Sequence, residues 1–195
     1  MKRLALAIGV SVIAAACSSS SPAGPGPIAA GGTSTAAVKP STGVPRNWVA
    51  HITGDSEVPA NASKGQGQVV FQLNAAGDEI SYRLISSNIN NVVQSHIHLA
   101  PVGVNGNIVV FLFGPVSAAG GPHDGVLATG TIRAANLIND LVGQPLSALI
   151  ERMDSGGAYV NVHTNDGVAP GNTGPGDLGA GEIRGQIQPA GHEGE

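Results

Sequence analysis

From residue 48 onward the chain alternates between apolar and polar positions with the period of an extended strand. In "EISYRLISS", residues 79–87, Ile80, Tyr82 and Leu84 fall on one face and Ser81 and Arg83 on the other, because successive strand side chains point to opposite sides. The same texture recurs in "WVAHITG" (48–54), "GQVVFQLNA" (67–75), "NVVQSHIHL" (91–99), "NIVVFLFG" (107–114), "GVLATGTIRA" (125–134), "AYVNVHT" (158–164) and "GEIRGQIQ" (181–188). Each run is short, rich in β-branched residues and bounded by Gly, Pro, Asn or Asp, the signature of strands separated by turns. Residues 74–78 ("NAAGD") and 102–106 ("VGVNG") fit as hairpin loops. The pattern predicts an all-β fold, an antiparallel β-sandwich or barrel of about eight strands.

One segment breaks the strand period. In "NLINDLVGQPLSALIERM", residues 136–153, Leu137, Ile138, Leu141 and Val142, then Leu146, Leu149 and Ile150, recur at helical spacing. Gly143 and Pro145 interrupt it, so two short helices are expected. The Gly/Pro-rich stretch 165–180, "NDGVAPGNTGPGDLGA", is longer than most connections in a compact domain, and reads as a functional loop or a tolerated insertion.

The start of the chain has a different organisation. Lys2 and Arg3 precede an apolar run from Leu4 to Ala16, the layout of a signal peptide. That run is shorter than the roughly 20 apolar residues a spanning helix requires. Cys17 follows Ala14-Ala15-Ala16 and is the sole cysteine, which excludes an intramolecular disulfide. The arrangement resembles a bacterial lipobox, with Ala14 where Leu is usual. That resemblance implies lipid attachment at Cys17, a membrane partner through the anchor, and, with Ser18 next, the outer membrane. Secretion of a soluble form is the second choice. Residues 18–45 are Ser, Pro, Gly, Thr and Ala with almost no large apolar side chains, the composition of a flexible tether. The expected division is a signal peptide at 1–16, a lipidated Cys and linker at 17–46, a β domain at 47–188 and a tail at 189–195.

Composition narrows the function classes. Only 11% of residues are charged, the formal net charge is −4, and aromatics make up 3%. No basic stripe interleaved with aromatics is present, which argues against nucleic acid as a partner. No Gly-x-Ser-x-Gly, Walker loop, His-Glu-x-x-His or dinucleotide fingerprint occurs, and no residue is nominated as catalytic.

The histidines carry the remaining chemistry. His96 and His98 stand at i and i+2 of one strand and so share a face, opposite Ile97 and Leu99. With Ile97 facing the core, the imidazoles are expected at the sheet surface or its rim. Two imidazoles at that spacing converge on one ion, and His163 in "NVHT" is the best third ligand. Such a set suits zinc or copper and leaves an open coordination position. The alternative is architectural: imidazoles that bond loop carbonyls and bind nothing. His123 in "GGPHDG" is expected in a solvated loop, with a fourth-ligand role if that loop folds over. His51 reads as an exposed strand residue, and His192 belongs to the tail.

Four segments, "ITGDSEVP" (52–59), "SHIHLAPVGVNGNIVV" (95–110), "AYVNVHT" (158–164) and "GEIRGQI" (181–187), together resemble the CHRD domain, named after chordin and common in bacterial secreted proteins and lipoproteins. The resemblance spans roughly residues 47–188 and implies an extracellular β-rich domain. In chordin such domains belong to a protein that binds growth factors. Two departures stand out. His98-Leu99-Ala100-Pro101 replaces the usual His-Gly-Pro-Ala, and the 165–180 loop replaces a short Pro-containing link. Glu57, Glu182 and Arg184 belong to these motifs. Glu182 and Arg184 share a strand face, where a cross-strand ion-pair ladder is favoured over a role at the histidines. Asp55 and Glu57 fit as acceptors of backbone N–H bonds in a turn.

Three functions compete on this evidence. The favoured one is a lipid-anchored extracytoplasmic module that binds a protein or glycan or serves as structure. The alternative is a zinc- or copper-binding protein using His96, His98 and His163. A dismutase-like or hydrolytic metalloenzyme has only the His-x-His stretch in its support.

Overall fold

A computed structural model describes residues 46–191. The signal-type segment, Cys17, the tether up to residue 45 and His192 lie outside the described residues.

The strands are β1 (Asn47–Thr53), β2 (Gln66–Leu73), β3 (Ile80–Asn90), β4 (Val92–Leu99), β5 (Asn107–Phe113), β6 (Pro122–Ile132), β7 (Ala158–Thr164), β8 (Ile183–Gln186) and the two-residue β9 (Gln188–Pro189). They form one antiparallel sheet in the order β5-β4-β7-β8-β1-β2-β3-β6, with β9 added beside β1. The sheet curls into a nearly closed barrel that brings the end strands β5 and β6 together. The predicted all-β architecture and the strand runs are those observed.

Alternation builds the interior. Val69 and Phe71 of β2, Ile80 and Leu84 of β3, Ile97 of β4, Val160 and Val162 of β7 and Ile183 of β8 enter one apolar cluster with Trp48. Full burial of an aliphatic or aromatic side chain stabilises by about 1.5–3 kcal/mol, so this cluster is the principal favourable term. The β2–β3 hairpin is locked by Asn74, whose Oδ1 accepts N–H bonds from Gly77, Asp78 and Glu79 at 2.9, 3.1 and 3.2 Å. The connection from β4 to β5 is the predicted turn around residues 102–106.

The helical excursion differs from expectation. Only its second half is an α-helix, α1 (Leu146–Asp154), which buries Leu146, Leu149, Ile150 and Met153. The first half forms two 3-10 turns, Ala134–Asn136 and Asn139–Leu141. These turns cover the outer edge of β5. Ile138 N–H donates to Val109 O at 3.0 Å, and the Asn139 amide donates to Ile108 O at 2.8 Å. The Tyr82 hydroxyl of β3 donates to Leu112 O at 2.6 Å across the seam where β6 meets β5. An edge strand needs partners for its free backbone groups, and that demand overrides the helical spacing here.

Candidate metal centre

Because Ile97, Val160, Val162 and Ile183 point into the barrel, their neighbours point out. The outer face of β4, β7 and β8 therefore carries His96, His98, Tyr159, Asn161, His163, Arg184 and Gln186. Register aligns them into cross-strand rows. Phe111, His96, Asn161 and Arg184 lie side by side across four strands, and His98, Tyr159 and Gln186 form the next row. His163 sits opposite Gln94.

This face is not at the sheet surface, as the sequence leads one to expect. His96, His98, Asn161, His163 and Arg184 are all buried. Two loops cover them, residues 100–106 and 165–181. Arg184 fastens the first, donating to Asn105 Oδ1 at 2.9 Å and to Val104 O at 2.8 Å, and Gln186 donates to Ala100 O at 2.9 Å. Glu182 fastens the second. Its Oε1 accepts from the Ser63 hydroxyl at 2.6 Å, and its Oε2 from the Thr164 hydroxyl at 2.6 Å and Gly176 N–H at 2.7 Å. Thr164 Oγ1 in turn accepts from Leu178 N–H at 2.9 Å. Among the described residues neither Glu182 nor Arg184 forms an ion pair. The cross-strand ladder expected of them is replaced by neutral partners, the 100–106 loop for Arg184 and Ser63, Thr164 and Gly176 for Glu182. The long 165–181 segment is thus part of the site's wall.

The three histidines converge. One ligand atom from each of His96, His98 and His163 lies within 4.8 Å of the others. His96 Nδ1 is 3.1 Å from His163 Nε2. The loop carbonyls fix the tautomers. His98 Nδ1 is 2.9 Å from Gly106 O, and His163 Nδ1 is 2.9 Å from Gly179 O. A carbonyl only accepts, so both Nδ1 atoms carry the proton and both Nε2 atoms present lone pairs. This is the outer-shell arrangement that orients imidazoles toward a metal. His96 Nε2 and His98 Nε2 are buried and have no hydrogen-bond partner among the described residues. Orphaned polar atoms in a buried cluster are costly and call for a ligand.

Bonds of about 2.0–2.1 Å place two ligand nitrogens no more than about 4.2 Å apart, so the His96–His163 spacing fits and the widest spacing contracts slightly on binding. The electrostatics agree with neutral donors. Burial, with the neighbouring His163 and His98, pushes His96 down to about 3. Burial likewise lowers His98 and His163, against the raising effect of their carbonyl partners. Aromatic rings complete the wall. Phe111 meets His96 edge-on at 4.6 Å, and Tyr159 stacks on His98.

The other candidates lie elsewhere. Glu57 is buried against Gly181, where a β-carbon would fall 2.5 Å from its Oε1, and that oxygen has no hydrogen-bond partner among the described residues. Desolvation raises its carboxyl to about 7, against the lowering effects of Arg184 and a backbone bond at Val58. His123 stands on β6, not in a solvated loop, and is outside the histidine cluster. His51 is exposed, as expected. Asn161 was not singled out by sequence, although its place two residues before His163 puts it on the same face. Its Oδ1 lies 3.0 Å from His163 Nε2.

An antiparallel barrel with a buried histidine cluster under its loops defines the class of protein. The CHRD domain model matches residues 48–173, more than half of the chain, and the chain belongs to the CHRD domain family. The matched stretch runs from β1 into the loop after β7, so "GEIRGQI" lies beyond it and is placed by the sheet itself, as β8 and its flanks. No match to a curated protein was found.

Proposed function

We propose that this CHRD domain is an extracytoplasmic metal-binding module that holds one zinc or copper ion through His96, His98 and His163. The observation that carries the reading is the paired commitment of His98 and His163. Each spends Nδ1 on a loop carbonyl and so leaves Nε2 unprotonated, and one ring nitrogen of each joins one of His96 in a group within 4.8 Å. An architectural role for the histidines leaves His96 Nε2 and His98 Nε2 unsatisfied; a metal ion removes at least one of those penalties. Imidazole donors without thiolate or carboxylate suit zinc and copper. Export and anchoring at Cys17 are part of the same proposal and rest on the "AAAC" sequence at residues 14–17.

Calorimetry on protein purified without a polyhistidine tag should give about one equivalent of Zn2+ or Cu2+, with little proton release at pH 7 because the three imidazoles are already neutral. The His96→Ala/His98→Ala double variant should bind none. Equal binding by that variant would reject the site. Intact mass of the mature protein should show a diacylglyceryl adduct on Cys17, and an unmodified cysteine would reject the anchor.

A further inference from the structure

Asn161 stands within the histidine cluster. It follows the inward-facing Val160 on β7, so its side chain leaves the barrel on the face that also carries His163, two residues on. Across the strands it is the partner of His96. It is buried, and its backbone carbonyl accepts the Ser95 hydroxyl at 2.7 Å. Its side-chain Oδ1 lies 3.0 Å from His163 Nε2.

That contact is unmatched in the metal-free protein. His163 Nε2 is unprotonated, because the ring has committed its proton to Gly179 O, and its one lone pair meets His96 Nδ1 at 3.1 Å. An amide oxygen at the same nitrogen sets acceptor against acceptor. Turning the amide brings an NH2 donor to a lone pair that His96 already uses. The oxygen is also the end that suits His98. Burial lowers that imidazole, and Gly106 O and the Asn161 side chain both oppose the fall, as only acceptors do. A cation among these atoms satisfies the oxygen and the nitrogens together.

The spacings agree. Neighbouring donors on one ion, with bonds of about 2.0–2.1 Å, stand about 2.9–3.4 Å apart from square to tetrahedral geometry. The His96–His163 and His163–Asn161 separations, 3.1 and 3.0 Å, fit two such edges. Three protein ligands and an open position mark catalytic zinc sites, and four protein ligands mark structural ones.

We propose that Asn161 Oδ1 is the fourth ligand of the ion held by His96, His98 and His163, which makes the site closed and structural; this deepens the metal-binding reading and rests on it. The ion then ties together the two covering loops, through the histidines that bond Gly106 O and Gly179 O. No coordination position is left for a substrate.

Cobalt(II) is the probe, because its visible bands report coordination number without turnover. In the untagged full chain, Co2+ should give the intense bands of a four-coordinate centre, unchanged by excess azide. Asn161→Ala should lower Co2+ affinity by about tenfold or more and open a position, so that azide shifts the bands saturably. Asn161→Asp, which keeps an oxygen in place, should hold Co2+ at least as tightly as wild type and stay silent to azide. A wild-type complex that answers azide saturably overturns the fourth ligand and leaves the metal site standing. So does an Asn161→Ala variant with wild-type affinity and spectrum. A wild-type chain that takes up no Co2+, Zn2+ or Cu2+ overturns the metal reading and this inference together.

Discussion

His98 and Tyr159 stack almost parallel, with ring centroids 4.8 Å apart and an interplanar angle of 11°. On the other side of the phenol ring lies the Arg184 guanidinium, 3.4 Å from the centroid. The Tyr159 hydroxyl also accepts Gly106 N–H at 3.2 Å, so one residue holds His98 both by its ring and through the turn that His98 bonds. Tyr159→Phe should preserve the stack and weaken metal binding only a few-fold. Tyr159→Ala should weaken it by about 10–100-fold, the usual cost of losing support around a ligand. It should also destabilise the fold by about 3–5 kcal/mol through the cavity left behind. Calorimetry and chemical denaturation of the two variants separate these effects.

Gly106 is fixed by a close approach. A β-carbon there would stand far inside the contact distance of Leu99 O. Gly106→Ala should displace the turn, remove the acceptor from His98 Nδ1 and lower metal affinity by at least tenfold. The expected stability loss is about 1–3 kcal/mol. Metal affinity unchanged within twofold would show that the turn carbonyl does not orient His98.

Glu182 answers three buried donors at once. Glu182→Ala leaves the Ser63 and Thr164 hydroxyls and Gly176 N–H without their acceptor and should cost about 3 kcal/mol or more. Glu182→Gln, which keeps one acceptor oxygen, should cost about half as much. Hydrogen exchange should show the largest gain at residues 174–181, since these are the backbone groups that Glu182 and Thr164 restrain.

Acid acts on the metal-free domain through two opposed linkages. The histidines have folded pKa values below their ordinary 6.5, reaching about 3 for His96, so the unfolded chain binds more protons and stability rises with pH across that window. Their contribution is complete above 6.5 and is lost as pH falls. Glu57 has the reverse sign. Its folded value of about 7 exceeds the ordinary 4.5, so its contribution is present below 4.5 and is lost as pH rises toward 7. Glu57→Gln removes only the second slope. Its unfolding free energy should therefore climb more steeply than wild type between pH 4.5 and 6.5. Parallel curves would reject the assignment.

The strands were legible because alternation is local: Ile80, Tyr82 and Leu84 declare their face whatever lies across the sheet. The histidine triad was legible in part, since His96 and His98 share a face by strand geometry and His163 stands in a similar setting. Its burial was not, because that depends on residues 100–106 and 165–181 folding back over the outer face. Those loops carry few large apolar residues and are held by Arg184, Gln186 and Glu182 through polar bonds that leave no periodic trace. The 136–142 segment misled for a related reason. Leu137, Ile138 and Leu141 are spaced as in a helix, but the backbone there serves β5.

Successive residues of β4 and β7 belong to two different interiors. Ile97, Val160 and Val162 fill the barrel, while His96, His98, Asn161 and His163 fill the layer beneath the loops, and none contributes its side chain to both. Selection can therefore rewrite the chemistry of the outer layer, one alternate position at a time, while the oily interior keeps its shape. The barrel is a chassis, and the histidine layer an exchangeable fitting bolted to its outside.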